Sequence, residues 1–148
     1  MSRLLEITRG LEEAAFAPGD VLMAEGTTTG NLFIMTEGAV EISKKGLPIR
    51  TLREPGTLLG EMSLLLEGPH VVTVTAAAPT RCRVTRGGRA YLASHPELGL
   101  LVAEVLALRL KGMIGYLADL KEQYADRADS LGVVDEVLDT LAHLQLKR

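Results

Sequence analysis

The sequence predicts a mainly β domain of jelly-roll type, a double-stranded β-helix, followed by a long helix and a short terminal helix. Eleven of the fifteen glycines lie before residue 89, and those at 19, 26, 38, 46, 56 and 68 recur at the interval of short strands joined by turns. Between these turns lie short runs rich in β-favouring residues. After His95-Pro96 the glycine punctuation gives way to long helical periodicity.

The elements follow in order. Residues 2–15 read as a short amphipathic helix on the roll, because Leu4, Leu5, Ile7 or Thr8, and Leu11 fall on one side. Strands are expected at Val21 to Met23, Leu32 to Met35, Ala39 to Ile42, Ile49 to Leu52, Val71 to Thr75 and Arg81 to Thr85, within a roll of about eight strands. Val72, Val74 and Ala76 alternate with Thr73 and Thr75, the period-two pattern of a strand with one buried face. Residues 1–95 thus form the roll with its N-terminal helix, and residues 96–148 form a helical dimerisation or output segment. Pro96 suits a first helical turn and Glu97 suits the helix dipole, which predicts a helix to about Arg127. Leu106, Leu110, Met113, Leu117, Leu120 and Tyr124 are spaced 4-3-4-3-4, a heptad seam. The seam demands a partner, either the roll or a second copy of the same helix, and the expectation is a parallel homodimer. Asp129-Ser130 offers an N-cap to a last helix, whose stripe of Val134, Val137, Leu138, Leu141 and Leu144 also needs cover.

Composition narrows the function classes. A chain of 148 residues suits one domain whose core needs no disulfide or metal. The single Cys82 cannot close an internal disulfide, so a reducing cytoplasm is the simpler home, and a strand position marks it as buried and inert. Charges at Arg3, Glu6, Arg9, Glu12 and Glu13 interrupt any signal sequence, and no apolar run reaches membrane-spanning length. Net charge is −3 and aromatic content 3%, which argues against a DNA-binding surface and against a base-stacking platform. His70, His95 and His143 lack metal-ligand spacing, and no nucleophile elbow, Walker motif or catalytic triad is present, so neither a metal site nor an enzyme is expected. Lys44, Lys45, Arg50 and Arg53 read as a solvent-facing hairpin that could also assist an anionic ligand.

The segment that carries chemistry runs from Pro55 to Ala76. It reads as a glycine turn, one helical turn with Glu61 at its start, a Gly68-Pro69 turn and a return strand. Amides of a glycine turn that leads into a helix converge on an anion, whereas the carboxylate of Glu61 would repel a bare phosphate. Its natural uses are to accept hydrogen bonds from a sugar hydroxyl beside the phosphate, or to cap the helix.

This segment resembles the phosphate-binding cassette of the cyclic nucleotide-binding domains. Phe16 to Leu22, Glu25-Gly26, Leu32 to Ile34 and Gly38 to Ile42 resemble that family's opening strands, and His95 to Leu98 running to Leu110 resembles the start of its long C-terminal helix. The resemblance implies a regulatory sensor domain, with cyclic AMP or cyclic GMP held by Gly60, Glu61, Met62, Ser63, His70, Val71 and Val72. In the family the glutamate bonds the ribose 2′-hydroxyl, an arginine pairs with the cyclic phosphate, and a Ser or Thr follows it. Here Gly60 and Glu61 match, while His70 and Val71 occupy the arginine and hydroxyl positions. Losing a charge-assisted bidentate contact costs on the order of 2–5 kcal/mol, enough to carry a micromolar site towards millimolar. An imidazole beside an anion can charge, so the expectation is that affinity strengthens as pH falls from about 8 to about 6, and that His70→Arg tightens it. A haem, carried on this fold in other branches, is required by no residue here.

In DNA-binding members of the family a winged helix-turn-helix of roughly sixty further residues follows the long helix. Only about twenty residues remain after the long helix here, so output is expected through a second subunit or a partner protein, with residues 126–132 as hinge. The rival expectation is a ligand-free dimeric scaffold of the same fold.

Overall fold

The computed structural model describes residues 2–124 and 128–144, with side chains at 128–131 left out. Eight strands form two four-stranded antiparallel sheets. They are β1 (Glu12–Phe16), β2 (Val21–Met23), β3 (Leu32–Glu37), β4 (Val40–Lys44), β5 (Leu47–Leu52), β6 (Thr57–Leu59), β7 (Thr73–Ala76) and β8 (Thr80–Thr85). One sheet has the order β1-β8-β3-β6 and the other β2-β7-β4-β5, so sequence neighbours repeatedly part into opposite sheets, as a jelly roll requires. Their inner faces share one core, in which Met23, Phe33, Met35, Val40, Leu59, Val74, Cys82 and Val84 are buried. Phe16 meets Phe33 edge-on, with ring centroids 6.0 Å apart. The β4–β5 hairpin closes on Lys45 and Gly46, both at positive φ (50° and 77°), the two-residue turn whose twist matches the flanking strands.

The expected N-terminal helix over 2–15 is corrected. Helix α1 spans only Arg3–Ile7, and Glu12–Phe16 instead pairs with β8 from Glu12↔Val84 to Phe16↔Thr80. Ala14 and Phe16 pack on the core with period two, so sheet pairing and burial outweigh the local helical spacing. The Thr8 hydroxyl donates to the Leu4 carbonyl at 2.6 Å, and the Arg83 guanidinium donates to the Leu5 carbonyl, which together fasten the end of α1 to β8. Strand β6 and helices α2 (Glu61–Leu66) and α3 (Gly88–Ser94) complete the roll.

Helix α4 runs Pro96–Gln123 and α5 runs Ala128–His143. The expected end of the long helix at Arg127 lies outside the described residues. Helix α5 begins at Ala128, ahead of the Asp129-Ser130 pair expected to cap it. The chain divides into two compact units, Met1–Val102 and Ala103–Arg148. In the first, Leu98 and Val102 of α4 are buried, and Arg3 pairs with Glu97 at 2.9 Å. In the second, Lys121 pairs with Asp135. Seam residues Leu110 and Met113 are exposed, and Leu106, Leu117, Leu120 and Tyr124 are half-buried. Val134, Leu138 and Leu141 are half-buried on α5, whereas Val137 and Leu144 are exposed. Among the described residues no helix is long and apolar enough to cross a membrane.

Candidate functional site

The site is built on two arms that meet one connection. The first arm leaves β6 through Gly60, whose φ of 91° is left-handed, and enters α2 at Glu61. A Cβ on Gly60 would stand 2.5 Å from the Asn31 carbonyl oxygen and 3.2 Å from the Met23 sulfur, so only glycine lets the turn close on the β2–β3 connection. The Leu64 amide donates to the Gly60 carbonyl at 3.2 Å, which starts the helix. Glu61 and Ser63 are buried, while the Met62 side chain faces outward. Helix α2 ends at Glu67 in left-handed conformation, where the Ser63 hydroxyl donates to the Gly68 carbonyl and the Gly68 amide donates to the Ser63 carbonyl at 3.1 Å.

The second arm, His70 to Val72, leads into β7 and is stitched to the same connection. The His70 amide donates to the Thr27 carbonyl at 2.8 Å, and the Gly26 amide donates to the His70 carbonyl at 2.9 Å. The imidazole Nε2 lies 2.9 Å from the Thr29 hydroxyl. His70 is only 3% exposed, and its Nδ1 is buried with no hydrogen-bond partner. Val71 is exposed and Val72 packs half-buried on the core. All seven residues expected at the site are thus brought to two adjoining arms. The Met62 and Val71 side chains are exposed.

Burial lowers the His70 pKa, because the imidazolium would lose its hydration. Burial thus opposes the charged ring on which the expected low-pH strengthening of affinity depends. The sign for stability follows from the same shift. Above about pH 6.5 the ring is neutral whether folded or unfolded, and the native state carries no penalty. As pH falls below that value the unfolded ring binds a proton more readily than the folded one, so stability is lost. Urea unfolding at pH 7.5 and pH 5.5 should show a larger acid loss for the wild type than for His70→Gln, and equal losses would contradict the burial argument.

Sequence reasoning missed Thr27, Thr29 and Asn31, whose part in the site comes from packing; the only local trace is a polar run just ahead of β3. The hairpin lysines also take a place near the site. Lys44 Nζ donates to the Val71 carbonyl at 2.7 Å and pairs with Glu25 at 3.3 Å. The Lys45 amide donates to the other Glu25 oxygen at 2.9 Å, and this bond, with Lys44 after it, holds the Glu25 carboxylate below its usual range. Cys82 is fully buried, and burial pushes its thiol up to about 11, so Arg81 and Arg83 beside it do not activate it. Elsewhere, a cavity of about 290 Å³ opens among α1, α3 and the start of α4, lined by Thr8, Tyr91 and His95 among others and by no cassette residue.

The family description "Cyclic nucleotide-binding domain" matches residues 13–90, which holds the whole of both arms. The chain belongs to the cyclic nucleotide-binding domain family. A CRP-like cAMP-activated global transcriptional regulator from Mycobacterium tuberculosis is 30% identical over 125 residues, covering 80% of this chain and 56% of the regulator. The chain therefore spans little more than half of that relative. The N-terminal domain of a transcriptional regulator from Streptomyces coelicolor superposes with a TM-score of 0.57 at 26% identity, covering 76% of this chain and 83% of that one. The catabolite activator protein of Thermus thermophilus superposes with a TM-score of 0.61 at 23% identity over 85% of this chain and 60% of that one, a likeness of fold. As a family this is a regulatory binding domain and not a catalytic one.

Proposed function

We propose that this domain senses a cyclic nucleotide, with cyclic AMP as the first candidate and cyclic GMP as the second, seated between the Gly60–Ser63 arm and the His70–Val72 arm. The supporting observation is the buried Glu61 directly behind the left-handed Gly60, within the stretch the family description spans. In this reading the Glu61 carboxylate accepts from the ribose hydroxyl, the amides that follow Gly60 face the phosphate, and Val72 closes the apolar wall. His70 serves by its backbone and its bond to Thr29, holding the second arm against the β2–β3 connection. Calorimetric titration with cyclic AMP and cyclic GMP tests it. Saturable binding of at least one, with a matching rise in melting temperature, is the expected result. Absence of both at millimolar nucleotide would leave the ligand-free scaffold.

Occupancy is relayed through the C-terminal helices of a homodimer. The support is the apolar seam of α4, of which Leu110 and Met113 lie open, with Leu108, Ile114 and Tyr116 exposed on other faces of the same helix. Analytical ultracentrifugation of the full chain should give a dimer, and a strictly monomeric species at high micromolar concentration would remove this part of the reading. The domain works as a regulator in the cytoplasm, through its second subunit or a partner protein.

A further inference from the structure

We propose that Lys44 is the cationic partner of the ligand phosphate in this chain, standing in for the guanidinium that position 70 lacks. The inference rests on the nucleotide-binding reading given above. Val40 is fully buried and Ile42 packs on the core, so the inner face of β4 is the one that carries its even-numbered residues. Side chains alternate along a strand, which puts Lys44 on that same face at the open end of the roll. Pairing of β4 with β7 runs from Val40↔Ala76 to Ser43↔Thr73, so the next step along β4 arrives beside the second arm of the cassette. There the Lys44 ammonium donates to the Val71 carbonyl at 2.7 Å, at the residue that fills the family's hydroxyl position.

The alternatives fit less well. The His70 ring is enclosed, its Nε2 is engaged by Thr29, and its Nδ1 has no access to solvent. Arg89 also reaches the cassette, but it donates to the Leu65 carbonyl at 3.3 Å, at the opposite end of α2 from Gly60. The Lys44 side chain is 47% exposed, so its charge carries no large desolvation penalty, and its flexible stem lets it leave the Val71 carbonyl for a stronger acceptor. A cyclic phosphate is a monoanion of that kind. Glu25, at 3.3 Å, competes for the same ammonium and would set how readily it is released. A lysine supplies a point charge and not a planar fork, so the phosphate contact is single and sensitive to salt.

Calorimetry with cyclic AMP and with adenosine, which lacks the phosphate, reads the inference directly. Lys44→Gln should weaken cyclic AMP roughly tenfold or more while leaving adenosine unchanged. Lys44→Arg should restore most of the affinity, Glu25→Gln should tighten it, and Arg89→Gln should leave it as in the wild type. Equal cyclic AMP affinity in wild type and Lys44→Gln overturns the inference while the nucleotide-binding reading stands. A parallel loss of adenosine and cyclic AMP affinity also overturns it, since Lys44 would then be only a tie in the hairpin. No binding of either compound by the wild type removes the nucleotide-binding reading and this inference with it.

Discussion

Gly60→Ala should abolish nucleotide binding and lower unfolding stability by about 2–4 kcal/mol, the strain of an alanine at positive φ added to a backbone collision. The φ of 91° is open to glycine and disfavoured for any residue with a Cβ. The added methyl would also stand 2.5 Å from the Asn31 carbonyl oxygen, a backbone atom at the start of β3 that cannot swing aside as a side chain could. Either the β2–β3 connection moves away from Gly60, or the turn opens and α2 loses its starting point. Both outcomes separate the two arms of the cassette. Since a domain of this size is stable by only about 5–15 kcal/mol, the loss is a large fraction of the total. Gly46→Ala is the matched control, because Gly46 has a φ of 77° and nothing within 4 Å of an added Cβ, so it carries the strain without the collision. Urea denaturation of both variants checks the comparison. Equal losses would mean that the close approach to Asn31 contributes nothing.

Glu61→Ala should weaken cyclic AMP by roughly ten- to a hundredfold, the worth of a hydrogen bond to a charged acceptor, without a comparable loss of stability. Glu61 is only 5% exposed and lies in the first turn of α2. Alanine is a strong helix former and suits that turn, so the unliganded fold should lose less than binding does, whereas the bound sugar loses its acceptor. The 2′-deoxy analogue of cyclic AMP completes a double-mutant cycle. Wild type should bind the analogue about as weakly as Glu61→Ala binds cyclic AMP, and the variant should no longer distinguish the two nucleotides. If both proteins discriminate equally, Glu61 is a helix cap and not the ribose acceptor.

The local pattern was sufficient wherever one element could be read from its own residues. Period-two alternation placed β7, glycines bracketed β2 to β5, and Pro96-Glu97 marked the start of α4. Gly60, Glu61 and His70 were likewise legible as a turn, a carboxylate and a return arm. Residues 12–16 and 57–59 were not, because Ala14 and Phe16 are ordinary helix-compatible residues until β8 lies beside them, and β6 is three residues caught between two glycines.

From sequence alone follow the order of turns and strands, the long helix and the glycine turn with its carboxylate and return arm, since these depend on backbone preferences and spacing within a few residues. Only the tertiary structure decided what surrounds these residues. Strand pairing and close packing bury the His70 ring against Thr29, press Gly60 onto Asn31 and carry Lys44, twenty-six residues from His70, to the Val71 carbonyl. Proximity of that kind arises from the register between sheets, and no interval along the chain encodes it.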